Sequence, residues 1–228
     1  LSRSTIGWAG LIFGVYAFNY LWAPLIDRIQ IPYLTKKIGH RRGWIVLMQI
    51  AILISLVLWS LINPTDNLAL LISIGLVIAI ASATQDITVD ALRIEQIGEK
   101  ESKSMAAGAA MAVVGWWTGY KLGGVIALFT AEFFEKNGVV DYWQATFIVL
   151  GIVVILMNIG LMFVHEKSSS ERVKSQRKTD ALISKNLGSK NFITDIIAWI
   201  TGTIGGPIIS FFKKNGFSIA IGILGFVF

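Results

Sequence analysis

Five long apolar runs constrain this chain more than any other feature. They cover roughly residues 6–26, 44–62, 68–92, 105–131 and 142–164, and a sixth begins near Phe217. Each is about as long as the ~20 helical residues needed to cross a ~30 Å hydrocarbon core. Inside a bilayer every backbone N–H and C=O must be satisfied within the protein, which leaves helices and closed barrels. Runs of this length without period-2 alternation read as helices. Composition agrees. The chain is 54% hydrophobic and only 15% charged, against ~25% charged in a soluble domain. The expected fold class is therefore all-α integral membrane, multi-pass, with the lipid bilayer as its first partner.

The connections set the orientation. Arg28, Lys36, Lys37, Arg41 and Arg42 lie in 28–43, and Arg93, Lys100 and Lys103 in 93–104. Seven more basic residues lie in 165–191, and Lys213 and Lys214 follow. Seventeen of the 20 Lys and Arg thus fall on one side of the helices, with Arg3 and Lys136 on the other and Lys121 inside a span. By the positive-inside rule the loops 28–43, 93–104 and 165–191 are cytoplasmic. Topology accounts for the net charge of +6, so no nucleic-acid partner is called for. The chain has no cysteine, and its two histidines, His40 and His165, both lie in basic loops. That pattern suggests neither thiol chemistry nor a histidine-based metal site or catalytic triad. No metal or cofactor is expected.

Segment 165–191 is Ser/Lys-rich without periodicity and reads as a flexible cytoplasmic linker. In 192–215, Ile193, Ile196, Ile197, Ile200 and Ile204 share one helical face, while Gly205, Gly206 and Pro207 interrupt the pattern. A further span here would place Lys213 and Lys214 outside, so an amphipathic helix lying on the cytoplasmic surface fits better. Residues 216–228 read as the start of a truncated span. The chain begins at Leu1 and ends within an apolar run, which suggests an internal piece of a longer protein.

Chemistry concentrates in two places. "SATQDITVDALRIE", residues 82–95, follows an uncharged run. On a helix, Ser82, Gln85, Asp86, Asp90 and Arg93 fall within an arc of ~140°. An isolated carboxylate near the bilayer centre costs ~2.5–3.5 kcal/mol on insertion scales, so such a stripe faces water or other helices rather than lipid. Asp90 lies near the cytoplasmic end, within reach of neutralisation by Arg28, Arg41 or Arg93. Asp86 lies about 10 Å from Arg93 along the helix. It is either a proton-coupling group or a buried, hydrogen-bonded helix contact. The second place is the span 105–131. Gly115, Gly119 and Gly123 make a double G-x-x-x-G, a helix-packing seam. Lys121 projects from roughly the opposite side, near Trp117. It either faces a cavity, where an anionic substrate group would pair with it, or snorkels outward past Glu132.

"LWAPLIDR", "GHRRGW", "SATQDITVDALRIE" and "GYKLGG" together resemble the AmpG-type muropeptide permeases of the major facilitator superfamily. The match covers most of 4–165 and resumes at "PIISFFKKNGF". Acetyl-CoA transporters share part of this motif set. Three departures stand out. Ala23 replaces a glycine, ten residues (Ile29–Ile38) separate Arg28 from Gly39 where the superfamily motif has one, and Lys121 stands where the family has Arg. The resemblance implies a twelve-helix carrier in two halves, monomeric when complete. Residues 1–164 would supply most of the N-terminal half and depend on a second half as partner. It implies import of peptidoglycan fragments with protons across the bacterial inner membrane, for cell-wall recycling. Asp86 would be the coupling candidate, and Lys121, Trp117 and Gln85 the substrate-binding candidates. Asp27, Arg28, Arg41, Arg42, Asp90, Arg93 and Glu95 would form a cytoplasmic gating and ion-pair network. The alternatives are another anionic-solute carrier, such as an acetyl-CoA type, and, more distantly, a membrane-embedded transferase.

Overall fold

A computed structural model of the protein describes residues 3–62, 67–97, 102–164, 166, 178, 182–183, 192–219 and 221–222. The regular elements among them are all helical. They are α1 (Arg3–Phe18), α2 (Ala23–Arg28), α3 (Leu34–Ile38), α4 (His40–Ser60), α5 (Leu68–Ile97), α6 (Ser102–Lys136), α7 (Tyr142–Met162), α8 (Phe192–Ile200) and α9 (Gly206–Asn215). A 3₁₀ turn, Asn19–Leu21, follows α1, and a π-helical segment, Thr201–Gly205, joins α8 to α9. Among the described residues, four helices are long and apolar enough to cross a membrane: α4, α5, α6 and α7.

The expected first span, 6–26, is not one continuous helix. It is interrupted by the 3₁₀ turn, and α2 restarts with Pro24 in its first turn. Proline lacks an N–H and its ring clashes with the carbonyl four residues back, so a helix breaks just before it. Two of the other four spans run past their expected ends, while α4 and α7 stop two residues short of theirs. α5 continues to Ile97 and α6 to Lys136, because Glu, Gln, Lys and Arg at those ends are good helix formers.

The chain divides into two compact units. The first comprises 1–19 and 31–167. In it α5 packs on α1 and α4, α4 on α7, α7 on α6, and α6 returns to α5. Small residues line the buried side of α5: Gly75, Ala79, Ala81, Ala83, Thr84 and Thr88. They let neighbouring backbones approach, which drives association where lipid offers no hydrophobic gain. A Cβ on Gly75 would lie 3.0 Å from Ile12 of α1 and 3.1 Å from Trp59 of α4. The Trp59 indole donates to the Leu71 carbonyl at 2.9 Å, tying the end of α4 to the first turn of α5. Most other apolar side chains on α6 and α7 remain exposed, as a lipid-facing surface requires.

The second unit comprises 20–30 and 168–228. In it α2 packs on the π segment, and the Arg28 guanidinium donates to the Trp199 carbonyl at 3.4 Å. Helix runs almost unbroken from Phe192 to Asn215, so the Gly-Gly-Pro stretch shifts the hydrogen-bond register instead of ending the helix. Ile196, Ile197 and Ile200 are exposed, while Ala198 and Thr203 are buried. The linker 165–191 and the apolar segment from Phe217 lie largely outside the described residues, as does His165.

Candidate functional site

The polar stripe of α5 emerges as the sequence spacing places it, with one addition. Gln85 and Asp86 are half-buried and Thr88 fully buried. The Tyr16 side chain, on α1, lies beside Ser82 and close enough to Asp86 to feel its charge. Two helices therefore contribute to one polar patch: Tyr16 from α1, and Ser82, Gln85 and Asp86 from α5. Asp90 stands one turn further on, where its carboxylate and that of Asp86 repel. The Gln85 amide oxygen is buried and accepts no hydrogen bond among the described residues. The same holds for the amide oxygens of Gln49 and Asn158. Tyr16 carried no signal of its own in the sequence, since one tyrosine in an aromatic-rich run looks like packing.

Beyond Asp90 the stripe runs into a set of charges at the basic end of the helices. Asp90 pairs with Arg93 at 3.2 Å, and the Arg93 guanidinium also donates to the Gly108 carbonyl of α6 at 3.3 Å. Arg41, almost fully buried, pairs with Glu95 through two N–H groups at 3.0 Å each. Of the three arginines within sequence reach of Asp90, it is thus Arg93 that bonds it.

A third carboxylate completes this end, and sequence reasoning missed it. Glu166 follows α7, and its two oxygens accept the backbone N–H groups of Arg41 (2.8 Å) and Arg42 (3.0 Å). These are free donors of the first turn of α4, where the helix dipole also favours an anion. A carboxylate 124 residues away in sequence does the work normally done by a local cap. The only trace in the sequence is Gly39. Its φ of +106° and ψ of 165° suit glycine alone, and a Cβ there would overlap the Glu166 carboxylate. Arg42 meets Glu166 through its backbone; Asp27 and Arg28 belong to the second unit, where Asp27 is half-buried.

On α6, Lys121 is exposed and has no partner among the described residues. Trp117 beside it is part of an exposed aromatic group. The Trp116 and Tyr120 rings stack at 5.9 Å and 6°, and Trp117 stands edge-on to Trp116 at 5.1 Å. The W-W-x-x-Y spacing (i, i+1, i+4) could have shown this platform in advance. The glycine seam behaves differently from expectation. A Cβ on Gly115, Gly119 or Gly123 would meet nothing within 4 Å, so no helix among the described residues fills it. The close approaches fall instead at Gly75 and at Gly108, where a Cβ would lie 2.6 Å from Ile97.

A half-buried carboxylate beside two helices, a lysine beside stacked aromatics and a clasped helix end are the polar features of the described helices. The family model described as "Major Facilitator Superfamily" matches residues 1–228. "Putative transporter AmpG 4" of Rickettsia felis is 32% identical over 206 residues, covering 90% of this chain and 43% of that protein. The "Anhydromuropeptide permease" of Escherichia coli K12 is 34% identical over 132 residues, covering 58% of this chain and 26% of that protein. The chain spans less than half the length of these relatives.

Proposed function

Because the chain belongs to the major facilitator superfamily and is a multi-pass membrane protein, we propose that it is a transporter rather than an enzyme and forms part of an importer of anhydromuropeptides. Transport is coupled to protons across the bacterial inner membrane and serves cell-wall recycling. The observation that carries this reading is the Tyr16–Ser82–Gln85–Asp86 patch, polar groups that two helices hold within an apolar bundle. The printed name of the Escherichia coli relative supplies the substrate class.

The roles follow from position. Asp86 is the coupling group. A carboxylate in a drying cavity holds its proton and gives it up when water or a cation returns, and alternating access changes those surroundings. Gln85 presents an amide to substrate from the same turn. Lys121 attracts the carboxylates of the glycopeptide, and the Trp116–Trp117–Tyr120 platform offers ring faces to a sugar. Gly115, Gly119 and Gly123 accept a helix of the complete carrier. Asp27, Arg28, Arg41, Arg42, Asp90, Arg93 and Glu95 steady the cytoplasmic side, the loops 28–43, 93–104 and 165–191 being cytoplasmic. Segment 192–215 lies at the cytoplasmic surface, its exposed isoleucines in the bilayer.

Uptake of labelled anhydromuropeptide into cells lacking their own permease tests the substrate. Accumulation above empty-vector cells, collapsing with the pH gradient, is the expected result. Accumulation competed equally by acetyl-CoA would reassign the carrier to the acetyl-CoA type. No uptake from a well-expressed complete protein would reject the reading.

A further inference from the structure

At the end of the first unit away from the basic loops, a pocket of about 610 Å³ opens where the end of α4, the start of α5 and the start of α7 meet. Aromatic rings form much of its wall. Trp59 and Phe147 lie 5.9 Å apart, Trp143 and Phe147 6.2 Å, and Tyr142 and Trp143 5.8 Å. Asp141 is the only charged side chain among the described lining residues. It sits at the N-cap of α7 yet makes no capping hydrogen bond with its side chain. Its carboxylate has no partner among the described residues.

A second space of about 290 Å³ continues from this pocket. Ser60 and Phe147 line both. It runs between α4 and α7 along Leu53, Val57, Ile148, Ile152 and Ile155, and Gly151 keeps its floor low. Over these eight residues of helix the groove is about 12 Å long. Ser60 is the one polar side chain among its described lining residues, and that hydroxyl already donates to the Val57 carbonyl at 2.7 Å.

A sugar or peptide would leave its hydroxyl and amide groups unpaired in such a groove, at a cost of about 1–3 kcal/mol each. A hydrocarbon chain has nothing to pair. The wider end asks for the opposite chemistry. An unpaired carboxylate among tryptophan and tyrosine faces attracts a cation, by charge and by cation–π contact. With no lysine or arginine among the described lining residues, an anionic headgroup gains nothing there. An apolar tail joined to a cationic head, at the edge of a membrane, describes one class of molecule.

We infer that the α4–α7 groove and its aromatic pocket hold a phospholipid with a primary ammonium headgroup, such as phosphatidylethanolamine. The ammonium lies on Asp141 and one acyl chain lies along Leu53 to Ile155. In the orientation proposed above, this lipid belongs to the outer leaflet of the inner membrane. It staples α4 to α7 at the end opposite the Glu166 clasp.

The test is native mass spectrometry of the complete protein, purified in detergent and offered phosphatidylethanolamine and phosphatidylglycerol of identical acyl chains. The wild type should retain phosphatidylethanolamine about three- to fivefold in preference, the upper part of the range of an exposed ion pair. Asp141→Asn should bring that ratio to about one while still binding lipid. Gly151→Phe, which fills the groove, should remove the retained lipid of either kind. Asp141 is exposed, so Asn there leaves folding intact and the first variant stays informative if Gly151→Phe misfolds. Equal retention of the two lipids by the wild type, or an unchanged ratio in Asp141→Asn, overturns the proposal. So does quenching of Trp59 and Trp143 fluorescence by a soluble disaccharide that leaves the bound lipid count unchanged.

Discussion

Replacing Gly39 with alanine probes the join between the end of α7 and the start of α4. Two separate costs arise. The φ of +106° with ψ of 165° lies in a region nearly closed to residues with a Cβ, worth about 1–3 kcal/mol. The new Cβ would also occupy the place of the Glu166 carboxylate. Displacing that carboxylate frees the N–H groups of Arg41 and Arg42, and losing a charged helix cap costs about 1–2 kcal/mol. The total for Gly39→Ala is roughly 2–5 kcal/mol, a large fraction of the ~5–15 kcal/mol stability of an ordinary domain. Glu166→Ala alone should cost about 1–2 kcal/mol. The assay is a double-mutant cycle on the complete protein in detergent, read by thermal or denaturant unfolding. Once Glu166 is gone, Gly39→Ala has only the backbone strain left to exact, so the two effects should fall short of additivity by about 1 kcal/mol or more. Full additivity would show that Gly39 and Glu166 act independently. A Gly39→Ala protein as stable as wild type would refute the backbone argument as well.

Asp86→Asn mimics the protonated carboxyl and should abolish pH-driven accumulation while sparing substrate exchange. Lys121→Ala should do the reverse, weakening uptake of anionic substrate with proton dependence kept. Uptake against an imposed pH gradient reads both, and a wild-type pH response in Asp86→Asn would remove the coupling role. Gly75→Ala should destabilise the protein by about 1–3 kcal/mol through overpacking, because its Cβ would press on Ile12 and Trp59 at 3.0 and 3.1 Å; an unchanged melting temperature would mean that α1 and α4 can move apart freely. Reporter fusions at Asn137–Gly138 should read periplasmic and those at Lys36–Gly39 cytoplasmic, and the opposite pattern would overturn the orientation.

The glycines show where sequence pattern stops informing. A double G-x-x-x-G on α6 is the usual mark of a packing seam, yet nothing among the described residues stands against it. The tight contact falls at Gly75, a lone glycine in an apolar run. Spacing records only which residues share a face. It cannot record which neighbour that face meets. Pro24 shows the converse. Its missing N–H is a local property, so the break after Phe18 could have been placed from the residues alone.

Run length and charge distribution by themselves determined that the chain is a set of membrane helices. Hydration of apolar surface and of the backbone leaves few alternatives. The arc shared by Ser82, Gln85, Asp86 and Asp90 was equally determined, because helical periodicity is local geometry. Which groups meet across helices was decided only by tertiary structure. Tyr16 joins Asp86 from α1, Arg41 takes Glu95 from α5, and Glu166 crosses 124 residues of sequence to seat on the first turn of α4. Each contact depends on the distance between two helices and their rotation. Those are set by how small side chains such as Gly75, Ala79 and Ala83 pack in three dimensions. A one-dimensional pattern carries the faces, while the packed bundle chooses the partners.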